Sequence, residues 1–408
     1  MLSVLLLSAC DNTLQSDEKN ETLVILGSLT GVGQEIIEEA FAPFTAETGI
    51  EVVYEGTDAF TTVLPIRVEG GDVPDLAIFP QPGLMRDLAR EGVITPLDDV
   101  MDVSVLEEAF GPDWVELGSV DDAVYGIWMR SDPKSLVWYS PAAFETSGYT
   151  VPTSWDELIT LTETIAETGI SPWCLGMESG EATGWVGTDW VEDILLRTAG
   201  PEVYDQWVAH ELPFNSPPVK EAVEIFGDLV QRHVRGGAVG AISTPFGDAP
   251  APLFDQPPGC YLHRQASFIT DFLPEDIQPG QDTRVFLLPG RDSAAPLLTG
   301  GLVIAMTNNT PTAQRAMNYL ATVTPHESWA ARGYISPHRQ IDPATYPNDG
   351  IRQMAEVLAQ AETIRFDGSD LMPAAVGTGT FWSEMVNYIS GADIEKVLAA
   401  IDDSWPEE

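Results

Sequence analysis

The chain has 408 residues, 44% of them apolar and 20% charged, a globular balance spread over too much length for one ordinary core, so two lobes are expected. Its 63 acidic residues against 19 basic ones give a formal charge of −44 with no long acidic run. Such a surface repels phosphate backbones and anionic lipid, which argues against nucleic acid as a partner. It suits solubility in a salty exterior, where charge is screened within about 10 Å.

Residues 2–9, LSVLLLSA, form an apolar run far shorter than the roughly 20 residues a spanning helix needs. They read as the end of a secretory signal whose basic start is missing, which places the true start upstream of Met1. The string Leu7-Ser8-Ala9-Cys10 resembles the lipobox of bacterial lipoproteins, so Cys10 is expected to be acylated, with 11–21 as a polar tether. A buried cysteine after a hydrophobic start is the alternative. Asp11 resembles the signal that keeps such lipoproteins at an inner membrane. The expected location is the periplasm or cell exterior, anchored through Cys10.

From residue 22 the pattern is strand, helix, strand: TLVILG, then Ile36, Ile37, Ala40, Phe41 and Phe44 at helical spacing, then IEVVYEG (50–56) and DLAIF (75–79). That alternation predicts a parallel sheet with helices on both faces, and ligands then sit at the carboxyl ends of strands. The rule selects Gly27-Ser28, Thr57-Asp58 and Gln81-Pro82-Gly83. YGIWM (125–129) and SLVWY (135–139) read as strands that cross between lobes. Ser154-Trp155-Asp156-Glu157 is a capping box opening a helix with Leu158, Leu161 and Ile165 inward. Pro218 opens another, with Val219, Ala222, Val223, Phe226, Leu229 and Val230 inward. The Gly- and Pro-rich 236–260 reads as loop, VFLLP (285–289) and LVIAM (302–306) as strands, and the rest as mostly helix. Cys174 and Cys260 are an even pair in an oxidising compartment, which suggests a disulfide; two free buried thiols are the alternative.

The stretches GDVPDLAIFPQPGLMRDLAREGVITPLDD (71–99), YGIWMRSDPKSLVWYSPAAFETSGYTVPTSWDELITL and LTGGLVIAM resemble extracellular solute-binding proteins of the maltose-binding family. SPWCLGMESGEATGWVGTDWVEDILLR (171–197) and FGDAPAPLFDQPPGCYLHRQASFI (246–269) are similar to its α-glucoside-binding branch. The resemblance implies an α/β, periplasmic-binding-protein-like type II fold: two α/β lobes joined by a hinge, with a central ligand cleft. It also implies a small carbohydrate ligand, handed to ABC permease subunits in the membrane. Lobe 1 is expected over 22–130 plus 302–343, and lobe 2 over 131–301 plus 344–408. No cofactor and no metal are expected, and the protein is expected to act as a monomer.

A sugar offers apolar C–H faces and a rim of hydroxyls, so its site needs flat aromatics and fixed polar groups. The region 178–193 is densest in both, with Glu178, Trp185, Asp189 and Trp190 as ligand candidates and Glu192 and Asp193 placed on a solvated helix face. Asp58 and Gln81 fall where the family's first lobe contacts hydroxyls, although Asp58 also suits a helix N-cap. Lys134 lies at the hinge approach. His263, Arg264 and Gln265 follow Cys260 on a strand end expected to face the crevice. Gly300-Gly301 permits close backbone approach. Arg339 and Trp382 are further carry-overs. A secreted glycoside hydrolase or transferase, or a sugar-sensing receptor of the same fold, is the competing reading. Ser131-Asp132-Pro133-Lys134 matches S-x-x-K without its companion motifs, Gly31-Val32-Gly33 lacks the third glycine of a dinucleotide fingerprint, and the five histidines show no metal spacing. Carboxylate pairs such as Glu178 and Asp189 would serve a glycosidase only at suitable separation.

Overall fold

The computed structural model describes residues 21–291 and 295–406, so Cys10 lies outside them. The chain opens with β1 (Thr22–Gly27), α1 (Val32–Thr48), β2 (Glu51–Gly56), α2 (Phe60–Gly70), β3 (Leu76–Phe79) and α3 (Pro82–Arg90). β1 pairs in parallel with both β2 and β3, as strand–helix alternation requires. The helices then start where these strands end, so the first turns of α1 and α3 face the same crevice as the strand ends. α4 (Ser104–Phe110), α5 (Pro112–Leu117) and a small hairpin, β4 (Ser119–Val120) with β5 (Ala123–Val124), lead into β6 (Gly126–Pro133).

After Pro133 the chain enters a second body. It consists of β7 (Leu136–Tyr139), α6 (Pro141–Ser147), α7 (Trp155–Glu167), β8 (Trp173–Cys174), α8 (Trp185–Thr198), α9 (Pro201–Val208), α10 (Pro217–His233), α11 (Gly237–Ser243), β9 (Leu262–Arg264) and β10 (Arg284–Leu287). Its sheet runs β10-β7-β9-β8. α7 begins as its capping sequence dictates: Ser154 Oγ accepts from Glu157 N at 3.3 Å, and Glu157 Oε2 accepts from Thr153 N at 2.7 Å. α10 buries Val219, Ala222, Val223, Phe226 and Val230, the expected face. The loop expected over 236–260 instead holds α11. Gly236 takes up φ 78° at its start, a left-handed turn that lets a run of small apolar residues wind into helix.

β11 (Leu297–Met306) returns to the first body, followed by α12 (Pro311–Leu320), α13 (Val323–Ala331), α14 (Asp349–Gln360), β12 (Ile364–Phe366), α15 (Gly368–Leu371), a π-helical turn over Ala375–Phe381, α16 (Trp382–Ile389) and α17 (Ile394–Asp402). The large sheet runs β12-β11-β3-β1-β2, with β6 also on β11. It is mixed rather than wholly parallel, because β6 and β3 both pair antiparallel to β11. A strand re-entering from the second body arrives from the opposite end, which reverses its direction. β12 pairs with β11, so the segment 344–408 contributes one strand to the large sheet, while α16 and α17 pack in the second body.

Three crossings join the bodies. β6 passes into β7. β11 has Leu298 in the second core and Leu302, Ile304 and Met306 in the first. β12 passes into α15, with Phe366 in the first body and Met372 in the second. The crossings are stitched to one another, Lys134 N donating to Leu298 O at 2.7 Å and Asp367 N to Thr299 O at 2.8 Å. The fold is a two-lobed α/β architecture with a cleft between the lobes.

Cys174 and Cys260 form a disulfide across 86 residues, tying β8 to the residues ahead of β9. Closing so long a loop restricts the unfolded chain. Replacing both cysteines with serine is expected to lower unfolding free energy by about 4 kcal/mol, read as a reduced urea midpoint with an unchanged far-UV spectrum.

Candidate functional site

The cleft has a volume of about 570 Å³ and is lined from both lobes and all three crossings. The first lobe supplies Ser28, Asp58, Phe60, Thr61 and Gln81 from strand ends and helix starts. The second lobe supplies Glu181, Trp185, Asp189, Phe246, Phe268, Asp271, Phe272 and Trp382. Arg130, Asp132 and Lys134 project from β6 and its exit, Gly301 from β11, and Ser369 and Asp370 from α15.

The second-lobe wall is aromatic. Trp185 meets Phe246 edge-on at 5.3 Å and Phe268 at 5.9 Å, while Phe246 touches Phe272 at 4.9 Å. Trp185 owes its place to Gly184, whose φ of 119° turns the chain into α8 while a Cβ there would lie 2.1 Å from Trp382 O. Only glycine brings the helix start that close. Across from the wall, Arg130 Nε donates to Asp132 at 2.9 Å, and its guanidinium lies 4.5 Å from the Tyr334 ring. Three buried atoms on the lining, Gln81 Oε1, Tyr334 Oη and Trp382 Nε1, have no hydrogen-bond partner among the described residues. They are free to meet a polar guest.

Beneath the cleft lies a network of charges. Lys134 Nζ donates to Asp189 at 3.0 Å and to Asp367, and stands 3.8 Å from Asp370. Arg264 bonds Asp193 at 3.0 Å and reaches Asp189 at 3.4 Å. Arg197 holds Asp193 as well, and also donates to the carbonyls of Leu288 and Pro296 at 2.9 and 2.8 Å. Glu192 accepts from the amides of Gly368 at 2.7 Å and Ser369 at 3.1 Å. Five carboxylates therefore face three cations in a region shielded from water.

Their ionisation follows. Burial pushes Glu192 well above the usual carboxylate range, and Asp367 and Asp189 push it further. Burial pushes Asp189 up to about 7 against the pull of Lys134. Burial also opposes charge on Asp367, but Lys134 and hydrogen bonds outweigh it and bring that carboxyl down to about 2. Lys134 loses to burial and gains more from its carboxylates, so it stays firmly charged.

The structure brings Ser28, Asp58, Gln81, Lys134, Trp185, Asp189, Gly301 and Trp382 to the cleft and leaves Glu178, Trp190, His263, Arg264, Gln265, Gly300 and Arg339 elsewhere. Asp58 is not an N-cap: Ala59 holds that position. Trp190 packs between Trp173 at 5.1 Å and Phe226 at 6.3 Å, in the core. Glu178 folds onto its own loop, accepting from Gly180 N at 2.9 Å. His263, Arg264 and Gln265 are at most 1% exposed, one layer below the cleft, because β9 is interior to its sheet. His263 Nδ1 bonds Cys174 O at 3.0 Å, and Arg264 is spent on the network. Gly300 makes room for Lys134, whose Cε would lie 2.6 Å from a Cβ there. Arg339 lines a different cavity, between Gly111 and α14. Glu192 and Asp193 are fully buried rather than solvated. At positions 189, 193 and 197 the helix repeats acid, acid, base on one face, and Lys134 and Arg264 arrive from neighbours to match it. Arg130 and Asp132 were missed. Strand alternation puts them on the face of Lys134, a signal already present in the sequence.

Fold and cleft together define a two-lobed receptor for a small polar solute. The chain belongs to the bacterial extracellular solute-binding protein family, whose model matches residues 27–324. It is 52% identical over 412 residues to the osmoprotective compounds-binding protein GgtB of Synechocystis sp., covering 100% of this chain and 98% of that one. It is 41% identical over 402 residues to the alpha-glucosides-binding periplasmic protein AglE of Rhizobium meliloti, covering 95% and 88%. Among solved structures, the bacterial solute receptor AcbH superposes with a TM-score of 0.81 at 17% identity, over 94% of this chain and 98% of that one. RafE in complex with raffinose gives 0.73 at 18% identity, again over 94% and 98%.

Two outcomes follow from the network. Arg264→Met leaves Asp189 with Lys134 alone and Asp193 with Arg197 alone among their cations, and is expected to cost about 3–5 kcal/mol in urea unfolding. Glu192 has a folded value above its unfolded one, so the stability it contributes is complete below pH 4.5 and is lost as pH rises through the folded value. Above pH 6.5 the histidines of the unfolded chain no longer oppose this trend. Stability is expected to fall as pH rises above 6.5, by at most about 1.4 kcal/mol per pH unit for each retained proton, and less steeply in Glu192→Gln.

Proposed function

We propose that this chain is the substrate-binding subunit of an ABC importer, taking up an α-glucoside or related osmolyte sugar such as trehalose, sucrose, a maltose-like disaccharide or glucosylglycerol. One observation carries the reading: an aromatic wall of Trp185, Phe246 and Phe268 faces directional polar groups across a cleft of about 570 Å³ between two lobes. That volume suits a small ligand, and indole faces stack on sugar C–H surfaces. The relatives named for osmoprotective compounds and for alpha-glucosides support the ligand class.

Binding closes the lobes about the three crossings, with the large sheet and the helices packed on it moving against the second body, α16 and α17. Thr62 Oγ1 of α2 already reaches Glu181 Oε2 at 3.3 Å across the cleft mouth, which supports closure along that lip. The closed form docks on membrane permease subunits as a monomer, with Cys10 as a lipid anchor. The ligand leaves chemically unchanged. Asp132 is held by Arg130, which suits it to fixed polar recognition rather than to proton transfer. Turnover of these sugars to products by the purified protein would establish the competing glycoside hydrolase reading.

A thermal-shift screen with trehalose, sucrose, maltose and glucosylglycerol tests the proposal. At least one is expected to stabilise the protein, by roughly 2.7 kcal/mol at 100 times its Kd, while amino acids and nucleotides leave it unmoved. Trp185→Ala is expected to weaken binding at least tenfold in calorimetric titration without changing the ligand-free melting point by more than a few degrees. Stabilisation by amino acids alone defeats the ligand class.

A further inference from the structure

Charge on the cleft lining is lopsided. Six carboxyl groups face the cavity, those of Asp58, Asp132, Glu181, Asp189, Asp271 and Asp370, against two cations, Arg130 and Lys134. Both cations are already committed. Lys134 serves Asp189 and Asp367 and stands 3.8 Å from Asp370. Arg130 holds Asp132 at 2.9 Å, with its guanidinium 4.5 Å from the Tyr334 ring and 5.7 Å from that of Phe268. Asp58, Glu181 and Asp271 have no cation within 4.0 Å among the described residues. The open donors on the lining, Tyr334 Oη and Trp382 Nε1, are neutral.

Backbone dipoles pull the other way. The starts of α1, α3 and α8 border the cleft, and a helix start carries about half a positive charge. Three of them amount to roughly 1.5 charges spread over several amides, against three whole carboxylates. Two of the three starts are weaker still: α3 opens with Pro82, which has no N–H, and α1 has Glu35 in its first turn. Ring faces side with the carboxylates, because an aromatic quadrupole attracts cations and repels anions. Lys134 Nζ lies 5.7 Å from the Trp185 ring, as Arg130 does from Phe268. The cleft is negative where a ligand would lie.

We propose that the cleft selects glycosides by the sign of their charge. It accepts neutral ligands and those bearing an ammonium and rejects those bearing a carboxylate, phosphate or sulfate, with Asp58, Glu181 and Asp271 deciding. The inference rests on the sugar-binding reading above. A hydroxyl or an ammonium gives each unpaired carboxylate a hydrogen once water is shut out. An anion brings acceptors only. A like charge about 6 Å away, at an effective dielectric of about 20, weakens binding roughly a hundredfold.

Calorimetric titration of the full-length protein with matched ligands tests this. Glucosylglycerol is set beside glucosylglycerate, and trehalose, sucrose and maltose beside analogues with a carboxylate or an aminomethyl group at C6. The carboxylates should bind about a hundredfold more weakly than their neutral parents, and the amines within about threefold of them. The penalty should persist in about 0.5 M NaCl, where screening over roughly 4 Å removes the field of the distant surface. Combining Asp58→Asn with Asp271→Asn should shrink it at least about tenfold, and each single variant by less. A carboxylate bound as well as its parent, an amine rejected like the carboxylate, or a penalty abolished by salt overturns the inference. If no neutral sugar binds, the sugar reading fails, and the sign of the cleft is read without one. Trp185 fluorescence, taken as wild type minus Trp185→Phe at the same ionic strength, should then be quenched more by caesium than by iodide. Quenching by iodide that equals or exceeds that by caesium overturns the charge selection itself.

Discussion

The ammonium of Lys134 sits where the chain first leaves one lobe for the other, and nearly every part of the cleft is referred to it. Its Nζ grips Asp189 from the second lobe and Asp367 from the third crossing, while its backbone amide bonds Leu298 on the second. One cation thereby fixes all three crossings and the start of α15 relative to α8. A buried ammonium is tolerated only because carboxylates surround it, and those carboxylates are tolerated only because Lys134 and Arg264 are present. Removing any one leaves uncompensated charge, so the group acts as a unit.

Above this floor the cleft divides its labour. Charged and amide groups sit on the crossings and on first-lobe strand ends, joined from the second lobe by Glu181, Asp189 and Asp271. Most aromatic rings sit on the second lobe, at the start of α8 and on the loops around Phe246 and Phe268, with Phe60 and Tyr334 on the first. On the proposed reading, a polyhydroxy ligand satisfies both only when the lobes approach, and the contacts that recognise it are the contacts that hold the lobes together. The Cys174–Cys260 bond and the His263 contact to Cys174 O stiffen the second-lobe sheet directly under the aromatic wall.

Periodicity in the amino-acid sequence was enough for the elements and much of the architecture. Buried apolar runs marked β1, β3 and β7, the 3.6-residue spacing marked α1, α7 and α10, and the capping box marked the first turn of α7, because these depend on neighbours within a few residues. The strand-end rule likewise found Asp58 and Gln81, since a parallel strand and its following helix fix where a loop must lie. What escaped was set by groups far apart in the chain. Trp190 and Trp185 are five residues apart on one helix, and only the packing of Trp173 and Phe226 sends one to the core while the other faces the cleft. Glu192 and Asp193 read as solvated because acids usually are; their burial rests on Lys134, Arg197 and Arg264, and partners drawn from such distant segments leave no local pattern. Local order determined which segments were strand or helix, and tertiary contact alone decided which polar side chains would be enclosed, because the cost of burying a charge is settled by whatever stands opposite it.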